Sequence, residues 1–321
     1  MKYALMFPGQ GSQEVGMLKA LGAEHPVVVD TFNEASQALG WDLAELIANG
    51  PSERLNQTQY TQPALLAAGV AVHRVWAGAV SVPPVAVAGH SLGEYTALVA
   101  AGALRFSDAL KLVELRGALM QSAVPAGVGA MAAVIGLDDE GVEKACAAYD
   151  GDGVLEAANY NAPGQVVVAG SKPAVDWLIA NAKQFAARKI MPIPVSVPSH
   201  CSLMRGAAER LAERLADIEI LAPTVPVLHN LDAAARTDAA AIREALVQQL
   251  YRPVRWALTV RELYGFGARG FFECGPGKVL TGIGKRVLEA PEEAPQFIPL
   301  GELVGLAEAQ SLITNPTGKQ A

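Results

Sequence analysis

Gly89-His90-Ser91-Leu92-Gly93 is the stretch of this chain whose residue types and spacing could do chemistry. A short apolar run over 85–88 leads into it and a helix-like run over 95–101 follows, so the serine falls on a sharp strand-to-helix turn. Glycines at 89 and 93 lack a Cβ, which lets strand and helix approach closely and pushes the Ser91 hydroxyl outward, with the Leu92 N–H beside it as a donor to an oxyanion. The chemistry is nucleophilic attack by an alcohol. A serine hydroxyl is a poor nucleophile alone, so a base is required.

Five histidines are available for that task. His25 precedes a proline and His73 lies in a helical stretch, and both read as structural. His90 sits inside the turn with its side chain directed away from the neighbouring hydroxyl, where it could still line a pocket. His200 and His229 each follow a predicted strand, which is where α/β sheets present functional groups, and spacing does not separate them. Between Ser91 and His200 the acids, such as Glu114, Asp138, Asp139 and Asp152, read as solvated, so no third member of a triad stands out. The base is then oriented by a backbone carbonyl or an amide side chain.

One charge is placed where charges are rare. Over 107–123, Ala109, Leu112, Val113, Leu119, Met120 and Ala123 make one apolar stripe at about 100° per residue, with Arg116 at its centre and Lys111, Glu114 and Gln121 opposite. A buried guanidinium without an anion costs several kcal/mol, and its planar fork suits a carboxylate. That anion is either an internal acid or a ligand carrying its own carboxylate. Gly9-Gln10-Gly11-Ser12-Gln13 follows the first predicted strand and offers the Gln10 N–H as a second oxyanion donor. Phosphate loops are excluded: Glu14 stands where a third glycine would be needed, and Glu273-Cys274-Gly275-Pro276-Gly277-Lys278 departs from the nucleotide-binding spacing. No histidines have metal-ligand spacing, so neither a cofactor nor a metal is expected.

These residues need a scaffold, and the pattern supplies one. Strand and helix signals alternate from the first strand over 3–7, which predicts an α/β fold with a largely parallel sheet. The rhythm then changes: strand 130–135, helix 138–149, strands 154–158 and 165–169, helix 173–184 and strand 189–197 follow in β-α-β-β-α-β order. That order predicts a ferredoxin-like small domain over 126–197, inserted in a larger domain made of 1–125 and 198–306. Later come a helix over 203–217, a strand over 225–229, a helix over 239–251 and a last short strand over 270–273. Residues 307–321 carry little pattern and read as a fraying tail.

Of the 321 residues, 51% are hydrophobic and 18% charged, which suits a folded globular chain. The formal charge of −7 argues against nucleic acid or anionic lipid as a partner. Cys146, Cys201 and Cys274 are odd in number and far apart, which fits reduced thiols. No apolar run reaches a membrane span of about 18 residues, and the first residues carry no secretory signal, so the expected location is cytoplasmic.

Taken together, the ordered motifs resemble those of the malonyl-CoA:acyl carrier protein transacylases. They are FPGQGSQ (7–13), GHSLGEYTAL (89–98), VELRGALMQ (113–121), NYNAPGQVVVAG (159–170), VPSH (197–200), QQLYRPVRW (248–256) and FFECGPGKVL (271–280), and they cover nearly the whole chain. The resemblance implies an α/β-hydrolase-like large domain with a small ferredoxin-like insert. It makes Ser91 the nucleophile, His200 rather than His229 the base, and Arg116 the clamp for the malonyl carboxylate. It assigns the oxyanion hole to the N–H groups of Gln10 and Leu92, and the support of the imidazole to the Gln249 main-chain carbonyl. Asn159, His90 and Met120 become pocket residues, and Arg188 and Lys189 are offered to the phosphates of coenzyme A. The implied partners are malonyl-CoA and a holo acyl carrier protein, with the enzyme a monomer. Two other readings are a serine esterase or thioesterase, which would use water and an acid behind the histidine, and a non-catalytic carrier-binding scaffold, which would have no chemical need for Ser91, His200 and Arg116 together.

Overall fold

A computed structural model describes residues 1–314 except 126, 196 and 289–292. Its strands are β1 (Tyr3–Phe7), β2 (Ala86–Gly89), β3 (Gly129–Ile135), β4 (Leu155–Ala162), β5 (Gln165–Ser171), β6 (Lys189–Ile193), β7 (Val227–Leu228), β8 (Gly270–Glu273) and β9 (Gln296–Pro299). Five of them form a parallel sheet in the order β7-β2-β1-β8-β9, and the other four an antiparallel sheet in the order β4-β5-β3-β6.

Successive side chains of a strand point to opposite faces, and in β1 both faces are apolar. Tyr3, Leu5 and Phe7 enter one core with the helices Val27–Leu39, Thr58–Ala79 and Phe106–Ser122, while Ala4 and Met6 enter a second core with the helix Trp256–Gly265. Because the strands run the same way, their carboxyl ends lie along one edge. That edge carries the residues after Phe7, Gly89, Leu228 and Glu273, where an open α/β sheet places its ligands.

The antiparallel sheet has helices Asp139–Ala147 and Lys172–Ala180 packed on one face through Val142, Val175 and Leu178. Its other face carries Met131, Ala158, Val167 and Ala169. β4 is tied to the segment before the helix Trp256–Gly265, where Tyr160 N–H donates to the Val254 carbonyl and Val254 N–H donates to that of Ala158, both at 2.9 Å.

Three sequence expectations are corrected. The strand expected over 189–197 stops at Ile193, and residue 196 lies outside the described residues. The strand at 270–273 is not the last, since β9 pairs with it. The segment expected to fray from 307 instead continues a helix, Leu303–Thr314, that buries Leu306, Ala309 and Ile313, while 315–321 lie outside the described residues. Apolar residues on that helix raise no polar stripe against them, and so it was hidden from periodicity. All three cysteines are buried and unpaired, and burial pushes the Cys146 and Cys201 thiols up to about 12. Among the described residues no helix is long and apolar enough to cross a membrane.

Candidate active site

The turn after β2 is built from contacts that only glycine permits. A Cβ on Gly89 would sit 1.9 Å from the Gly93 carbonyl carbon, and one on Gly93 would sit 2.0 Å from the Phe7 oxygen. Between them Ser91 adopts φ 51°, in the left-handed region that costs a non-glycine residue about 1 kcal/mol or more. The cost is met from outside the turn. Asn230, buried just past β7, accepts the Ser91 N–H through Oδ1 and donates through Nδ2 to the Gly89 carbonyl, both at 2.6 Å. The N–H groups of Gly93, Glu94 and Tyr95 bond back to His90, Ser91 and Leu92 as the helix Gly93–Ala100 begins. Neither the Leu92 N–H nor the Gln10 N–H meets an acceptor among the described residues.

His200, also left-handed at φ 63°, is held by its N–H on the Leu250 carbonyl. Its Nε2 lies 2.8 Å from Ser91 Oγ and its Nδ1 2.7 Å from the Gln249 carbonyl. A carbonyl can only accept, so the imidazole carries its proton on Nδ1 and turns the Nε2 lone pair to the hydroxyl. Gln249 ends the helix Ala239–Gln249, whose last carbonyls have no partner within the helix and carry partial negative charge. Burial, and after it the Arg116 guanidinium, push His200 down to about 3, so the ring is neutral near pH 7. His229 lies elsewhere: it is fully buried, with Nδ1 2.7 Å from Glu94.

Arg116 is 1% exposed on the helix Phe106–Ser122 and touches no acid. Its Nη1 donates to Gln62 Oε1 at 2.8 Å, and its Nη2 donates to Gln249 Oε1 at 2.9 Å and to Ser91 Oγ at 3.2 Å. Neutral acceptors thus hold the fork beside the hydroxyl. His90 pairs through Nε2 with Asn161 Oδ1 at 2.9 Å and packs edge-on against Trp256, and burial lowers its pKa.

A cavity of about 620 Å³ opens between the two sheets. Of the residues singled out in the sequence, Gln10, His90, Ser91, Leu92, Arg116, Met120, Asn159 and His200 line it, and Gln249 stands behind. Arg188 and Lys189 are exposed and are not part of its wall. Sequence reasoning passed over Gln62, Glu94, Asn161 and Asn230, and it saw Gln249 only as a carbonyl. Two had usable signals: Asn161 stands two residues from Asn159 on β4, and Asn230 follows a parallel strand at its carboxyl end.

Such a site, a serine and a neutral imidazole under a buried cation, belongs to enzymes that pass acyl groups through a serine ester. The acyl transferase domain family model matches residues 4–308. A malonyl CoA-acyl carrier protein transacylase of Haemophilus influenzae is 54% identical over 288 residues, which cover 89% of this chain and 92% of that protein. The solved malonyl CoA-acyl carrier protein transacylase of Coxiella burnetii superposes with a TM-score of 0.94 at 47% identity, covering 98% of each chain. A malonyl-transacylase solved in complex with a holo acyl-carrier protein of a type II polyketide synthase also gives 0.94 at 47% identity, covering 97% of this chain and all 100% of that one. The chain belongs to the acyl transferase family, in its branch of malonyl-CoA:acyl carrier protein transacylases.

Proposed function

We propose that this enzyme moves the malonyl group from malonyl-CoA to the phosphopantetheine thiol of an acyl carrier protein, by two transfers through Ser91. His200 Nε2 takes the Ser91 proton as Oγ attacks the thioester carbonyl. The tetrahedral oxyanion is held by the N–H groups of Gln10 and Leu92; loss of one such donor costs about 100-fold to 1000-fold in rate. The C–S bond breaks, the imidazolium returns its proton to the coenzyme A thiolate, and malonyl-Ser91 remains. The carrier thiol then gives its proton to His200, attacks the ester carbonyl, and Ser91 leaves with the proton. Atoms balance with no oxidant, metal or cofactor. The Gln249 carbonyl does for the imidazole what an aspartate does in a triad.

The observation that carries malonyl rather than acetyl is Arg116, inside the cavity and unpaired with any acid, 3.2 Å from the attacking oxygen. An acyl donor with a free carboxylate completes the fork, whereas acetyl leaves it with neutral partners only. Asn159, Asn161 and Met120 shape the wall around that acyl group.

The same reading takes the antiparallel unit as a ferredoxin-like insert, 126–197, in an α/β-hydrolase-like body of 1–125 and 198–306; the β-α-β-β-α-β order and the β4-β5-β3-β6 sheet support it. It also takes the enzyme as a cytoplasmic monomer supplying fatty acid synthesis, with Arg188 and Lys189 toward the phosphates of coenzyme A.

The test is a mixture of enzyme, malonyl-CoA and holo acyl carrier protein, followed for malonyl carrier and free malonate. Malonyl carrier is expected in large excess; faster release of malonate would make the enzyme a thioesterase. In the same assay Arg116→Ala is expected to lower malonyl transfer at least about 100-fold and spare acetyl transfer, a loss in line with an unpaired charge. Equal losses for both donors would remove the clamp.

A further inference from the structure

A guanidinium sealed at 1% exposure needs a counter-charge, yet one that gripped its fork directly would shut out a substrate carboxylate. The structure resolves this conflict one layer behind the cavity. Glu94, fully buried in the first turn after the nucleophile, accepts the His229 Nδ1–H at 2.7 Å, the Asn230 main-chain N–H at 2.9 Å and the Gln249 Nε2 at 2.8 Å. The Asn230 and Gln249 N–H groups can only donate and share one oxygen, which suits an ionised carboxylate, and an ionised carboxylate in turn requires His229 to carry a proton on Nδ1. The Gln249 amide that donates to Glu94, and also to the Ser91 carbonyl at 2.9 Å, turns its own oxygen to Arg116 Nη2. One amide therefore stands between anion and cation, polarised by both.

We propose that Glu94 is the counter-charge of Arg116, relayed through the Gln249 side chain so that the guanidinium is balanced while its fork stays open to the acid end of the acyl donor. This rests on the clamp reading of Arg116. Burial lowers the Arg116 pKa, and Tyr95 and Glu94 pull it back up. The Tyr95 phenol, 5.3 Å from the guanidinium carbon at its ring centre, is itself pushed up to about 12 by burial and is neutral near pH 7, which leaves Glu94 as the charge that acts. Glu94 does not touch the reacting atoms; it is a positioning residue that sets how strongly the cavity attracts a second anion.

Glu94→Gln removes the charge and keeps the shape. The new amide oxygen can accept from Asn230 and Gln249, and its NH₂ can donate to His229 Nδ1 once that ring carries its proton on Nε2. Without the anion behind it, Arg116 pulls harder on an incoming carboxylate, so the kcat/KM preference for malonyl-CoA over acetyl-CoA is expected to rise about tenfold, mainly through KM for malonyl-CoA. The exchange Glu94→Gln with Gln249→Glu keeps the total charge and leaves the Gln249 main-chain carbonyl in place. It sets the carboxylate directly on Arg116, and the preference is expected to fall at least about tenfold below the parent. In an Arg116→Ala background, Glu94→Gln is expected to move the preference less than about twofold.

A preference unchanged by Glu94→Gln in folded protein, or lowered by it, overturns the proposal, as does an exchange variant that keeps the parent preference. Should Glu94→Gln not fold, the exchange variant decides alone. The failures are distinguishable: if Arg116→Ala itself leaves the preference intact, the clamp falls, whereas if Arg116→Ala abolishes it and neither charge variant moves it, only the counter-charge falls.

Discussion

The two sheets face one cavity and furnish it differently. The parallel sheet and the helices packed on it bring Ser91 and Arg116, with Glu94 and His229 behind them, while His200 stands on the segment that runs from β6 of the antiparallel sheet to the helix Arg205–Ala216 and is held by the Leu250 and Gln249 carbonyls. The antiparallel sheet brings amides and aliphatic groups only, Asn159, Asn161, Met131, Val167 and Ile193. Their burial differs at one edge: β1 and β2 are buried throughout and β4 and β5 nearly so, whereas β6 is exposed at Lys189 and Pro192 and half-buried between. Strained backbone and desolvated charge need elements packed on both faces, because only a surround without slack can hold them. A wall that shapes an acyl group needs no such rigidity.

The contrast can be broken at its strongest point first. Ser91→Ala is expected to lower transfer at least about 10,000-fold and to abolish the adduct of 86 Da worth of malonyl on the intact protein, seen by mass spectrometry after incubation with malonyl-CoA. An adduct that persists would move the nucleophile elsewhere. Acid should come next. Burial holds His73, His90 and His200 below the usual histidine range, His200 to about 3. The unfolded chain takes up those protons below about pH 6.5 and the folded one does not, so their contribution to stability is present above that pH and is lost as pH falls toward 3. No histidine lies within 129–193. The thermal midpoint should therefore drop from pH 7 to pH 4, with His200→Asn flattening the slope, and hydrogen exchange at pH 4.5 should rise around β1 and β2 before β3 and β5. A midpoint independent of pH in that window would contradict the neutral imidazoles. The smallest effect is expected on the antiparallel side. Asn161→Ala breaks the bond to His90 and should raise KM for malonyl-CoA about threefold to tenfold with kcat nearly kept, as for one lost hydrogen bond. A fall in kcat beyond tenfold would show that this wall takes part in the chemistry.

What could be read from the chain in advance was local. The turn at Ser91 is specified by two glycines within five residues, and Arg116 betrays itself because its helix has a polar face against which an inward charge is visible. The alternation into β-α-β-β-α-β needs no long-range information either. Asn230, Gln62 and the Gln249 side chain act 139, 54 and 133 residues away from their partners Ser91, Arg116 and Arg116, and no periodicity reports that. The helix Thr58–Ala79 contains Pro63 and is buried almost all round through its middle, so it lacks the apolar stripe that marks a surface helix. β9 has four residues and ends on a proline, too little pattern to stand out.

Support of the imidazole by a peptide oxygen at a helix end has an evolutionary corollary. A side-chain carboxylate in that role can be deleted by one base change, and the enzyme with it. The Gln249 oxygen belongs to the main chain, and any residue substituted there would still present it. Drift can thus retune the side chain at 249, and with it the field on Arg116, while the proton path to Ser91 stays in place.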